Sequence, residues 1–159
     1  MGDDLVKTHM NQAEKTLAFV SKSINDYLNE MTVSQMVSDC GDYQEYYEEV
    51  LFSLRRISVF CDEGHGHCTA ILGRAVFQEE VAERALNWIY NRCIEEFYHP
   101  RNDYWHEDSR ALYRGKSAIQ FNEYVPASLK ELMVSLEKSF QEIREELEYY
   151  GNQLQAKMG

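Results

Sequence analysis

"VKTHMNQAEKTLAFVSKSINDYLNEM" (residues 6–31) decides the fold, because its apolar residues recur in steps of four and three without a break. The recurring positions are Val6, Met10, Ala13, Leu17, Val20, Ile24, Tyr27 and Met31. This spacing places them on one stripe of a single long helix. Such a stripe is buried when other helices pack against it. The sequence therefore predicts a helical bundle.

Three further segments are helical by the same criterion. One stripe runs from Tyr43 to Cys61 and another from Leu129 to Leu154, while the segment from Phe77 to Tyr98 has a broader apolar face. We expect a mainly α protein, a four-helix bundle with a short extra helix and a small β-hairpin between the third and fourth long helices. The long helices are predicted near 4–30, 42–63, 75–98 and 127–156, and the short helix near 33–39. The length of 159 residues fits a single domain.

The predicted helix ends follow from capping residues and prolines. Thr32 and Asp42 each precede Gln or Glu by three residues, which is the spacing of a capping box. Pro100 should end the third long helix, because the residue before a proline disfavours the helical conformation. Pro126 should open the fourth long helix.

The helical periodicity fails in "YHPRNDYWHEDSRALYRGKSAIQFNEYVP" (residues 98–126). The runs "SRALY" and "SAIQF" predict a hairpin within residues 108–122, inside an irregular insertion at about 99–125. The four acidic and four basic residues of 101–125 balance, whereas the whole chain carries a net charge of −11. Irregular segments on a rigid scaffold commonly carry function, so we look for a site here first.

Charge and composition exclude several classes of protein. A net charge of −11 repels phosphate backbones, so we expect no nucleic-acid partner. No apolar run reaches the roughly 18 residues of a membrane span. The N-terminal sequence lacks the basic and apolar regions of a secretory signal. Four cysteines are few for a disulfide scaffold and suit reduced thiols. These features predict a cytoplasmic protein.

The stretch "CDEGHGHC" (residues 61–68) concentrates metal-ligating side chains. If the second helix continued through it, Cys61, His65 and Cys68 would share a face, and Cys93 could supply a fourth ligand for zinc. Gly64 and Gly66 would each cost about 1 kcal/mol inside a helix, so we expect a kink or loop there instead. The alternative to a metal site is that the cysteines are small buried residues of the helix seam. We predict no cofactor, with zinc as the alternative.

The irregular segment supplies the candidate binding residues, which combine ionisable and aromatic side chains. These are His99, Arg101, Asp103, Tyr104, Trp105, His106, Arg110, Arg114 and Lys116. One interpretation is a small enzyme or anion-binding protein, with His106 as general base oriented by Asp103 or Asp108 and the basic residues binding an anion. No recognised catalytic spacing is present, so no catalytic residue is predicted.

Two other interpretations of the segment remain open. In the structural interpretation, arginine–carboxylate pairs and tyrosine hydroxyls tie the crossing to the bundle, and Trp105 is a buried anchor. In the interface interpretation, Trp105 and the tyrosines beside arginines form a binding surface. We favour a non-enzymatic interaction module with an unknown protein partner or a second copy of the chain.

The stretches "AILGR" (70–74), "YHPRNDYW" (98–105) and "EDSRALYRGKSAIQF" (107–121) resemble the YpuI-like family of small, functionally uncharacterised proteins from spore-forming Gram-positive bacteria. The resemblance covers nearly the whole chain. It implies a bacterial cytoplasmic protein without an assigned activity. It transfers no catalytic residue to any position of this sequence.

Overall fold

A computed structural model describes residues 2–108, 110 and 117–158, and the side chains of 4–108, 110 and 117–152. Its helices are α1 (Gly2–Glu30), α2 (Val33–Cys40), α3 (Gln44–Leu72), α4 (Glu79–Ile89), α5 (Glu95–Tyr98) and α6 (Ala127–Met158), and a π-helical turn (Tyr90–Ile94) joins α4 to α5. Two short strands, β1 (Trp105–Glu107) and β2 (Ile119–Phe121), form an antiparallel hairpin. The predicted mainly α bundle with a short extra helix and a small hairpin is confirmed.

The core lies where the predicted stripes meet. α1 packs against α3, α4 and α6, and α4 packs against α3 and α6. The α1 stripe is buried from Val6 to Ile24, and the α6 stripe is buried from Leu129 to Tyr150. None of the described helices has both the length and the apolar character needed to cross a membrane.

Most predicted helix ends are close to the observed ones. The Thr32 hydroxyl accepts a hydrogen bond from the Gln35 amide at 3.1 Å, as predicted for a capping box. Asp42 does not cap α3, because the residue before that helix is Tyr43 and its side chain makes no capping bond. Helix α6 begins at Ala127, directly after Pro126.

Helix α3 is continuous through "CDEGHGHC", so the predicted kink or loop at Gly64 and Gly66 is wrong. The reason lies in tertiary packing. A Cβ atom built on Gly64 would lie 2.8 Å from Leu17 Cδ1 of α1 and 3.2 Å from Ile89 Cγ1 of α4. The missing side chain therefore lets three helices approach one another, and their packing outweighs the helix propensity lost at the two glycines.

The hairpin is displaced from its predicted position within 108–122. Its second strand, β2, lies inside "SAIQF", but its first strand is Trp105–Glu107 instead of "SRALY". Of "SRALY", the structure describes Arg110 alone, which is helical and belongs to neither strand. Trp105 pairs with Phe121 and is fully buried, so burial of the indole places the strand earlier in the chain.

The predicted third helix also differs from the observed one. It begins at Glu79 instead of residue 75, and the π-helical turn interrupts it. Near this turn the Tyr90 ring lies against Gly151 of α6, where a Cβ atom would be 2.9 Å from Tyr90 Cε1. Gly151 therefore leaves room for the Tyr90 ring, which belongs to the π-helical turn and packs against α6.

Candidate functional site

Two neighbouring tyrosines of α3 bind the backbone of the irregular segment through hydrogen bonds. Tyr46 Oη donates a hydrogen bond to the Tyr104 carbonyl at 2.5 Å, and Tyr47 Oη donates to the Tyr124 carbonyl at 2.9 Å. The Asn122 amide donates to Tyr46 Oη at 3.2 Å. Burial raises the pKa of both tyrosines, which keeps the hydroxyls neutral and able to donate. The pair therefore fixes the backbone at both ends of the hairpin.

Helix α6 is joined to the first strand by a bidentate arginine–carboxylate salt bridge. Arg144 donates two hydrogen bonds to the Glu107 carboxylate, at 2.6 and 2.9 Å, and this contact raises the pKa of Arg144. The same guanidinium lies 3.8 Å from the centre of the Tyr98 ring. His99 Nε2 lies 3.8 Å from Glu107 Oε1. A bidentate pair of this kind restricts both position and orientation of the strand.

A buried carboxylate of α6 holds the second strand. Glu137 accepts a hydrogen bond from Ser117 Oγ at 2.6 Å and another from the Ala118 amide at 3.1 Å. Neither Arg144 nor Glu137 was predicted from the sequence. Both lie on α6, about 20 to 40 residues from their partners, and a single sequence shows no such pairing.

Trp105 is fully buried, and its Nε1 donates a hydrogen bond to the Phe97 carbonyl at 2.7 Å. A partner cannot reach this side chain in the folded protein. The indole fills the core beneath the hairpin, so this geometry does not support an interface centred on the Trp105 side chain. This placement matches the alternative interpretation of Trp105 as an anchor.

Most of the other predicted binding residues that the structure describes are exposed. The structure leaves exposed His99, Arg101, Asp103, His106 and Arg110. Arg114 and Lys116 lie outside the described residues. Tyr104 Oη donates to Glu49 at 2.9 Å.

The described residues do not assemble the predicted acid–base pair. Within this part of the chain, His106 makes no hydrogen bond with Asp103 or Asp108. Two surface cavities, one between β2 and α6 and one at the start of α3, have no predicted binding residue among their described lining residues. The enzyme or anion-site hypothesis therefore stays a prediction without support from this geometry.

A groove of about 550 Å³ lies between β2 and the first turns of α6. Three of its lining side chains are apolar or aromatic and exposed: Tyr124 at 74%, Val134 at 52% and Tyr43 at 37%. Deeper in the groove are Ile119, Phe121 and Met133, and its polar lining includes Ser117, Gln120, Asn122, Glu123 and Lys130. Partial signals for this groove are visible in the sequence, because Val134 lies off the α6 stripe and Tyr124 belongs to the irregular segment.

An acidic shelf adjoins the groove at the start of α3. A second cavity of about 620 Å³ shares Tyr43 and Glu123 with the groove. The shelf consists of the residues that line this cavity: Asp42, Tyr43, Gln44, Glu45, Tyr46, Glu48 and Glu123. No basic side chain is among the described residues that line this cavity. Groove and shelf therefore form one surface with an apolar part and an acidic part.

The "CDEGHGHC" stretch forms packing contacts in the bundle. Cys61, Gly64 and Cys68 face the core, and Asp62 accepts a hydrogen bond from Ser21 of α1. The exposed His67 makes an edge contact with Trp88, with ring centres 5.2 Å apart.

The predicted metal ligands are not arranged as a metal centre. In the part of the chain that the structure describes, no three His, Cys, Asp or Glu side chains are arranged to hold a metal ion. A hydrogen bond with Cys61, together with burial, raises the pKa of Cys93, and burial raises the pKa of Cys68 to about 12. The zinc hypothesis that used Cys61, His65, Cys68 and Cys93 therefore stays a prediction.

By its fold, the protein is a four-helix bundle with an irregular crossing and a hairpin between its last two long helices. The chain belongs to the family "Protein of unknown function (DUF3907)", whose model matches residues 10–156. It is similar to the "Uncharacterized protein YpuI" of Bacillus subtilis (strain 168), with 41% identity over 150 residues, 94% of this chain and 84% of that protein. The resemblance found in the sequence is thereby confirmed. No solved structure matches the chain.

Proposed function

We propose that the protein is a non-enzymatic interaction module that binds a partner protein in the groove between β2 and α6. The observation that carries the proposal is the exposure of Tyr124, Val134 and Tyr43 around one concave surface. Tyrosine is enriched at the centres of protein interfaces, where it supplies a large contact area at low cost in conformational entropy. Exposed apolar residues that gather in one groove indicate a binding surface more strongly than isolated ones.

The anchoring of the groove supports the same proposal. Its walls are held by Tyr47, Glu137 and the stripe of α6, so the exposed side chains project from fixed backbone. A preformed surface loses little conformational entropy when a partner binds. The site also lies on the irregular segment, where the sequence led us to expect function.

Site-specific photocrosslinking in Bacillus subtilis, the organism of the 41% identical relative, tests the proposal. The chain would carry a benzophenone amino acid at Tyr124 or, as matched control, at Tyr149, which is 59% exposed and lies near the other end of α6. We expect discrete adducts from position 124 that disappear with Val134→Lys, and none of these adducts from position 149. Equal adduct patterns from both positions, or no adduct from position 124, would refute the proposal. An adduct of twice the mass of the chain would identify a second copy as the partner.

A further inference from the structure

The outer edge of β2 offers unpaired backbone groups to the groove. In the hairpin, Asp108 pairs with Ala118 and Asn122 with Tyr104 through backbone hydrogen bonds. Because hydrogen-bonded and non-bonded pairs alternate in an antiparallel ladder, the N–H and C=O groups of Ile119 and Phe121 point away from β1.

One of these four groups is satisfied inside the chain. The Ile119 amide donates to Ser117 Oγ at 3.3 Å. Among the described residues, the Ile119 carbonyl and both backbone groups of Phe121 have no hydrogen-bond partner. The strand that carries these groups forms one wall of the groove, and the first turns of α6 form the opposite wall. A strand edge with unpaired backbone groups can pair with an extended peptide.

The acidic shelf indicates that the partner segment is positively charged. Of the four carboxylates of the shelf, Glu123 also lines the groove, so a chain lying along β2 passes directly onto the shelf. Among the residues that the structure describes, Lys130 is the one basic residue that lines the groove, and none lines the shelf. The net charge of −11 adds long-range attraction for a basic partner.

From these observations we infer that the groove binds an extended, basic segment of a partner protein as a third strand on the outer edge of β2. The segment alternates apolar residues, which face Tyr124, Val134 and Tyr43, with lysine or arginine residues that reach the acidic shelf. Alternation follows from strand geometry, because successive side chains point to opposite faces. This inference rests on the proposed function and specifies its partner class and binding mode.

Synthetic peptides test the inference without knowledge of the natural partner. The probes are N-acetylated decapeptides that alternate lysine with valine, leucine or phenylalanine, and binding is measured by fluorescence anisotropy. Two matched controls keep the length: one replaces every lysine with glutamate, and the other carries N-methyl groups on alternate backbone amides. We expect at least one lysine peptide to bind, the glutamate peptides not to bind, and N-methylation to weaken binding about tenfold or more through the lost strand hydrogen bonds.

Protein variants localise the binding. Tyr124→Ala and Glu45→Lys should each weaken binding several-fold, while Tyr149→Ala and Glu142→Lys, exposed changes elsewhere on α6, should leave it unchanged. Amide hydrogen exchange followed by NMR should show slower exchange at Phe121 when the peptide is bound.

The possible failures separate the inference from the proposed function. Equal binding of the normal and N-methylated peptides, or no slowing at Phe121, would overturn strand pairing. Equal binding of lysine and glutamate peptides, or no binding of any lysine peptide at millimolar concentration, would overturn the basic partner. In either case, adducts at Tyr124 in the crosslinking experiment would leave the interaction groove standing, whereas their absence would remove both.

Discussion

Alanine at Gly64 and alanine at Gly66 should change the stability of the bundle in opposite directions. Both glycines lie inside α3, so each substitution gains up to about 1 kcal/mol of helix propensity. At Gly66 a Cβ atom would meet no heavy atom within 4 Å, so this gain should appear almost undiminished. Gly66→Ala is therefore expected to stabilise the protein by about 0.5 to 1 kcal/mol.

At Gly64 the new methyl group collides with the core. It would lie 2.8 Å from Leu17 Cδ1 and 3.2 Å from Ile89 Cγ1, and both side chains are fully buried. Inserting a methyl group into such a core typically costs about 1 to 3 kcal/mol, because buried neighbours must leave their preferred rotamers. The central cost of about 2 kcal/mol, less a propensity gain of up to about 1 kcal/mol, leaves Gly64→Ala destabilising the protein by about 1 kcal/mol.

Urea denaturation followed by circular dichroism measures both values, and a common slope would show that unfolding exposes the same surface in each variant. The predicted difference between the variants is about 2 kcal/mol, well above the error of such a measurement. If both alanines stabilised the chain equally, Gly64 would not lie at a crossing of three helices. If both destabilised it equally, α3 would contain the break that its two glycines suggest from sequence alone.

Two further predictions concern the core. Trp105→Ala should cost about 3 to 5 kcal/mol in urea denaturation, because it removes a fully buried ring and the hydrogen bond to Phe97; a cost below 1 kcal/mol would contradict the anchoring role. Burial raises the pKa of Cys68 to about 12 from an ordinary value near 9, so the folded state favours the neutral thiol. The contribution of this thiol to the free energy of unfolding should therefore be complete below pH 9 and decline between pH 9 and 12. At pH 10 the expected loss of stability is about 1 kcal/mol, measured by denaturation under reducing conditions. Cys68→Ala should remove that part of the decline. An identical decline in the variant would show that the Cys68 thiol does not cause it.

The helices could be predicted from the sequence because their information is local. A stripe such as that of α6 repeats every three or four residues, and burial of its members from Leu129 to Tyr150 follows directly from that repetition. The short helix was equally accessible, since Thr32 carries a side chain that caps the next turn. These features depend on residues within one or two turns of each other.

The errors occurred where distant residues decide the local structure. Gly64 has the propensity of a helix breaker, but Leu17 and Ile89 make it the residue that fits a helix crossing. The first strand was placed too late because the burial of Trp105 depends on the carbonyl of Phe97, across a turn. A single sequence contains the identities of these residues without the distances that join them.

The groove was hard to predict for a related reason. Tyr124 and Val134 lie on different elements, and Tyr43 precedes a third, so no spacing in the sequence groups them. Charge was more informative, since Asp42, Glu45 and Glu48 are visible as an acidic start of α3. What the sequence could not show is that the acidic residues and the exposed side chains lie side by side.

The supports of the hairpin connect its structure to the proposed binding. A two-stranded hairpin alone is marginally stable in water, so an isolated β2 edge would lose conformational freedom at the moment of pairing. Here Arg144 fixes β1, Glu137 fixes the start of β2, and Tyr47 fixes the chain beyond it. That entropy is lost when the bundle folds, before any partner arrives. The free energy of strand pairing can then appear as affinity, which is the condition for a short edge to serve as a binding site.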